Sequence, residues 1–107
     1  MGRDMMLDWL GIHRYSDEIA IVNDRYVVYR DMQLVYDRKL KKEVKVREFK
    51  GEMYVYIRDY RYNKPRNVLY AKVLLKCFSK ERFRRNVGYV DGNPLNVKFE
   101  NLITYHK

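Results

Sequence analysis

A chain of 107 residues and 13.2 kDa holds one domain's worth of protein, and 47% hydrophobic residues argue against wholesale disorder. With 35% charged residues and a mean hydropathy of −0.65, no stretch approaches the roughly 20 apolar residues of a membrane span. The single cysteine, Cys77, excludes an internal disulfide, and two histidines with one cysteine cannot build a zinc finger.

Twenty-three basic and fourteen acidic side chains leave a net charge of +9. Residues 1–37 hold four basic and seven acidic side chains, residues 38–86 hold seventeen and five, and residues 87–107 hold two of each. Solubility does not require seventeen cations in one segment, so the middle of the chain points to a polyanionic partner, nucleic acid first.

In chain order, the first 18 residues read as an arm or short helix with Met5, Met6, Trp9 and Leu10 as an apolar patch. No apolar run of 7–15 residues marks a signal peptide there, and a reducing cytoplasm is the expected compartment. Residues 19–62 form a strand-rich module. Ile19–Val22, Tyr26–Tyr29 and Leu34–Tyr36 are short β-branched or aromatic runs, and Lys42–Phe49 reads as one alternating strand. After Gly51, Met53, Val55 and Ile57 alternate with Tyr54, Tyr56, Arg58, Tyr60 and Tyr62, so the aliphatic set faces a core. The Tyr/Arg face has two readings. Aromatics interleaved with arginine suit a surface that stacks on bases, whereas tyrosines also cover a small second core with hydroxyls in water. Tyr54 and Tyr56 are assigned to the second reading, and Arg58 and Tyr60 are left open.

Residues 63–107 hold a turn at Asn63–Arg66, a helix and a closing unit. Tyr70, Val73, Leu74, Cys77 and Phe78 fit one apolar helix stripe over 70–79, with Lys72, Lys76 and Lys80 as a basic ridge. Cys77 is a core residue on this reading. A basic loop with Arg82, Arg84 and Arg85 leads to a strand at Val87–Val90, a turn at Asp91–Pro94 and a helix near Asn96–Leu102. The class is α+β: a small, mostly antiparallel sheet with a packed helix and a ββα-like C-terminal unit, all in a single domain over 1–107.

The segment NVGYVDGNPLNVKFENLIT resembles the HNH homing endonucleases of phages and group I introns, whose core reads valine, any residue, histidine, an aliphatic, Asp-Gly-Asn, asparagine and Glu-Asn-Leu. The matching positions are Val87, Val90, Asp91, Gly92, Asn93, Asn96, Glu100, Asn101 and Leu102. The likeness runs over about residues 51–104, with a weaker one over 26–50. It implies a phage or mobile-element origin and a ββα core laid into a groove of duplex DNA.

It also implies lost chemistry. The family's general-base histidine is replaced by Tyr89, a phenol with a reference pKa near 10, and the preceding ligand position is Gly88, which has no donor atom. Asn101 matches the asparagine that orients the histidine. A further metal ligand falls beyond Glu-Asn-Leu, past Lys107. No metal and no cofactor are expected. By the resemblance, Lys72, Lys76, Arg82, Arg84 and Arg85 would grip phosphates, and Asn93, Asn96 and Asn101 would donate to phosphate or base edges. Arg38, Lys39, Lys41, Lys42, Lys45 and Arg47 would add a second strip, with Arg58 on the neighbouring strand.

The leading reading is a nucleic-acid-binding protein, for duplex DNA above RNA, on an inactivated nuclease scaffold. The alternatives are a phage regulator that binds a host protein, with Trp9 and Met5–Met6 in its acidic third as an interface, and a metal-dependent nicking enzyme in which Tyr89 has a lowered pKa.

Overall fold

The computed structural model describes residues 7–84 and 86–105. Its order is β1 (Ile12–Arg14), β2 (Ile19–Val22), β3 (Tyr26–Tyr29), β4 (Val35–Asp37), β5 (Lys42–Val44), β6 (Arg47–Phe49), β7 (Glu52–Asp59), β8 (Lys64–Leu69), α1 (Tyr70–Phe78), β9 (Asn86–Tyr89), a 3-10 turn (Phe99–Asn101) and β10 (Leu102–Tyr105). The class is α+β as expected, with every paired strand antiparallel. β1 to β5 form one meander, β6 to β8 a second, and β9 and β10 a two-stranded ribbon.

Turn chemistry sets the registers. Asn23 and Asp24, residue types that tolerate left-handed backbone, both take positive φ between β2 and β3. Lys50 and Gly51 (φ 52° and 83°) make the two-residue primed turn that closes Phe49 on Glu52. At the four-residue β4–β5 turn, the Asp37 carboxylate accepts the Lys39 and Leu40 N–H groups at 2.9 and 3.1 Å.

The core lies between the sheets and α1. Seven of the nine α1 residues are buried, so the helix is covered well beyond its single apolar stripe. It packs on β1, β7, β8, β10 and the 3-10 turn. Arg14 of β1 closes its C-terminal end, donating to the carbonyls of Cys77 (2.9 Å) and Ser79 (3.2 Å), where a cation also suits the helix dipole. Cys77 is a buried core residue, and burial pushes its thiol up to about 12.

Four expectations are corrected. The strand expected over 42–49 is two strands in two different sheets, joined by Lys45 and Val46. A period of two shows which way side chains point but not which neighbour each half pairs with. Of the turn expected at Asn63–Arg66, Asn63 closes a turn (φ 52°) while Lys64–Arg66 begin β8, where Pro65 is tolerated because β8 is an edge strand. Within the first 18 residues, expected as an arm or short helix, Ile12–Arg14 is a strand; Met5 and Met6 lie outside the described residues, and Trp9 is half-buried against the core. The helix expected near Asn96–Leu102 is a 3-10 turn of three residues followed by β10, whose β-branched and aromatic Ile103-Thr104-Tyr105 pairs with β9. Among the described residues, no helix is long and apolar enough to cross a membrane.

Candidate nucleic-acid interface

β7 carries both of the faces its alternation predicts as far as Asp59, where the strand ends; Tyr60 and Tyr62, expected on the Tyr/Arg face, lie in the turn that follows. Val55 and Ile57 are fully buried, and so is Asp59 at the end of the same face. On the opposite face Tyr54 is half-buried, its ring edge-on to Phe49 and its hydroxyl 3.4 Å from Glu52. Tyr56 departs from the covered-core reading: it is 47% exposed. The Arg47 guanidinium lies 4.2 Å from the centre of its ring, and Arg47 Nη2 donates to Asn67 Oδ1 at 2.7 Å. Three strands build this stack. Arg47 of β6 sits across from Tyr54, Tyr56 of β7 is two residues on, and Asn67 of β8 pairs with Tyr56.

Beside the stack, a groove of about 360 Å³ separates the β4–β5 hairpin from the outer face of β7. Val44, Leu40, Tyr26 and Pro65 give it apolar walls, and Lys42, Lys45, Arg47 and Arg58 a cationic rim; Glu43 also lines it. A second cavity of about 490 Å³ follows, lined by Asp24, Arg25, Arg38, Lys39 and Tyr60. Arg25 borders both. Its guanidinium makes a two-pronged bond to Asp37, Nε to Oδ1 at 2.8 Å and Nη2 to Oδ2 at 2.7 Å, with both side chains buried. The carboxylate raises the Arg25 pKa against the opposing effect of burial, with a further contribution from the Tyr60 hydroxyl. Arg25 likewise holds Asp37 below its usual range, helped by the Leu40 and Lys39 N–H groups.

The predicted basic residues therefore divide. Lys39, Lys41, Lys42 and Lys45 are exposed, and among the described residues no carboxylate lies within ion-pair distance of them. Arg38 is exposed but donates to the Asp24 carbonyl at 2.8 Å and approaches its carboxylate at 3.4 Å. Arg58 is half-buried, reaches Asn63 Oδ1 at 3.4 Å, and ties the two large sheets together: its N–H donates to Tyr26 Oη and its carbonyl accepts from Asn23.

The second predicted cluster is less open. Lys76, read as part of a basic ridge, is largely covered, 3.7 Å from the Asp8 carboxylate and over the Phe83 ring. Lys72 is half-buried. Arg82 and Arg84 are exposed, with the Arg84 N–H donating to Thr104 Oγ1 at 2.7 Å; Arg85 lies outside the described residues. Trp9, a candidate exposed interface in the sequence, lies beneath the guanidinium groups of Arg61 and Arg66.

The three asparagines are engaged in the loop between β9 and β10. Asp91 Oδ1 accepts the Asn93 N–H at 2.8 Å and Asn101 Nδ2 at 3.0 Å, while Oδ2 accepts Asn96 Nδ2 at 2.7 Å. Asn101 Nδ2 donates as well to the Asn96 carbonyl at 2.9 Å, and its Oδ1 accepts the Asp91 N–H at 3.0 Å. Asn93 Oδ1 accepts from the Leu95 N–H at 3.1 Å. Both amide hydrogens of Asn101 are thus committed within the loop, which corrects the expectation that it donates to a ligand. Hydrogen bonds from Asn96, Asn93 and Asn101 lower the Asp91 pKa, so the carboxylate acts as the acceptor around which the loop closes. Asn101→Ala should cost about 1–2 kcal/mol in urea unfolding, since three bonds go at a buried side chain. A loss near zero would show that the loop holds without it.

At the position that the resemblance aligns with a general base, the Tyr89 hydroxyl is buried without a hydrogen-bond partner among the described residues. Burial, then Glu52 and Tyr54, push its pKa up to about 12, the opposite of the lowered value a phenolate base requires. Gly88 faces Ile103 across the ribbon, and a Cβ there would come 2.9 Å from Ile103 Cγ1. A ligand side chain at 88 has no room until Ile103 moves. Among the described residues, no three His, Cys, Asp or Glu side chains converge as a metal ion needs. No protein-family model, curated protein sequence or solved structure matches this chain.

Proposed function

We propose that this chain is a cytoplasmic nucleic-acid-binding protein that grips the phosphate backbone, of duplex DNA above RNA, on a scaffold resembling a phage-type HNH nuclease. The observation that carries the reading is the β4–β5 hairpin. Lys39 and Lys41 on its turn, Lys42 at the start of β5 and Lys45 just after that strand stand exposed with no carboxylate in ion-pair distance among the described residues, and the turn is held from beneath by the buried Arg25–Asp37 pair. A protein serving only its own solubility has no need to hold four like charges within seven residues at the hairpin and its exit, which repel each other until an anion arrives. Phosphate contacts give affinity and position without sequence choice. The buried, protonated hydroxyl of Tyr89 and the tight space at Gly88 favour binding over hydrolysis.

The test is binding to a labelled random duplex without added metal, at two salt concentrations. Four phosphate contacts give a fall of roughly 10²-fold in affinity between about 50 and 200 mM salt. Lys42→Glu with Lys45→Glu should weaken binding at low salt and reduce the log–log slope by about 2. Absence of binding to the duplex at low salt would remove duplex DNA as the ligand, and absence of binding to single strands as well would end this reading and turn the search to a protein partner.

A further inference from the structure

The groove is better built than phosphate gripping requires. A row of lysines on a flat surface would hold a backbone, yet here the lysines rim a cleft with apolar walls and an aromatic ring at its side. Tyr56 is 47% exposed, and its ring is held in place by the Arg47 guanidinium, itself fixed by the 2.7 Å bond to Asn67. An exposed aromatic ring normally costs its rotamer freedom when a ligand stacks on it. This ring is ordered in advance, which lowers that cost. The next cavity repeats the chemistry: Tyr60, 52% exposed, with Arg38 and Lys39 and the Arg25 guanidinium between the two spaces. Each of the two neighbouring cavities thus sets an exposed aromatic ring beside cations. Its acids are Glu43, exposed on β5, Asp24 at the far end beside Arg38, and Asp37, which Arg25 neutralises.

A duplex keeps its base faces stacked on each other and offers a side wall of phosphates, so an intact helix leaves the ring of Tyr56 unused. An acidic peptide would match the cations but gives the ring no planar partner. We infer that the groove receives an unpaired nucleotide, its base against the Tyr56–Arg47 stack and its phosphate between Lys42 and Lys45. The inference rests on the nucleic-acid reading and narrows it to nucleic acid containing at least one base outside a pair.

The experiment compares three labelled DNAs of equal length at one low salt concentration: an intact duplex, the same duplex with a short central single-stranded gap, and the single strand. Wild-type protein should bind the gapped DNA about tenfold more tightly than the intact duplex, the scale of one base stacked on an aromatic side chain. In Tyr56→Leu, which keeps apolar cover but removes the ring, that ratio should fall to about one, while Tyr56→Phe should keep it. Thermal unfolding of each variant checks the fold, and Arg47→Met offers an independent way to dismantle the stack if Tyr56→Leu is unfolded.

Equal binding of gapped and intact duplex by the wild type overturns the inference while leaving the phosphate-grip reading standing. A tenfold preference that survives in Tyr56→Leu and Arg47→Met overturns it as well. Binding of gapped and single-stranded DNA with none to intact duplex supports the inference and removes duplex DNA as the ligand. Failure to bind any of the three ends both.

Discussion

Asp37→Ala should lower stability by about 3–5 kcal/mol, a large part of the roughly 5–15 kcal/mol that holds a domain folded. The loss comes from what remains. Arg25 is buried, and without its partner the guanidinium keeps its charge in a place where water reaches it poorly. The Lys39 and Leu40 N–H groups lose their acceptor at the same stroke, so the turn that presents the lysines loosens as well. Asp37→Asn, which keeps an acceptor for those N–H groups, should cost less. Replacing both partners together, Arg25→Met with Asp37→Leu, should recover most of the loss, because no unpaired charge is left in the core. Urea unfolding midpoints would measure all three, and a cost below about 1 kcal/mol for Asp37→Ala would show the pair to be incidental to the fold.

The second large effect is expected at Asp59, fully buried on the core face of β7. Arg61 binds both its oxygens, at 3.1 and 2.9 Å, and Arg66 reaches Oδ2 at 3.1 Å. The Arg61 bonds are the main cause that brings its pKa down to about 2, with Arg66 and the Arg61 N–H adding to it against the effect of burial. Asp59→Asn should cost about 2 kcal/mol at neutral pH. The figure falls below that for Asp37 because both arginines are partly exposed and regain water. A carboxylate whose pKa is depressed in the folded state stabilises fully above its unfolded value, near 4, and the contribution is lost as pH falls through about 2. Wild-type stability should therefore decline between pH 4 and 2 more steeply than that of Asp59→Asn. Parallel decline of the two proteins in urea titrations across that window would rule out Asp59 as the source.

Much of this architecture can be read from residue order, where a local rule suffices. β2 and β3 end at the residues their β-branched runs predict, the alternation of β7 separates Val55 and Ile57 from the tyrosines, and the 3.6 period marks α1. What stays hidden depends on partners distant in sequence. The division of 42–49 between two sheets follows from pairing with β4 on one side and β7 on the other. β8 was obscured by Pro65, whose cost vanishes only at an edge. At the candidate site, the cationic strip is visible as charge, but the stack of Arg47 on Tyr56 needs three strands in register before it exists. Lys76 looks like a free cation on its helix stripe because Asp8 is far away in the chain. The asparagine spacing is legible too, yet only the folded loop shows that Asp91 uses their hydrogen bonds.

The two residues between β5 and β6 have a mechanical result. Lys45 and Val46 are all that separates a strand of the first sheet from a strand of the second, so the chain there spans no more than about 10 Å from Val44 to Arg47. That tether, together with the bonds from Tyr26 and Asn23 to the Arg58 backbone, limits how far the two layers can slide past each other. The two layers are therefore expected to unfold together in a single urea transition, with the cationic groove, whose walls belong to both layers, lost in that same step.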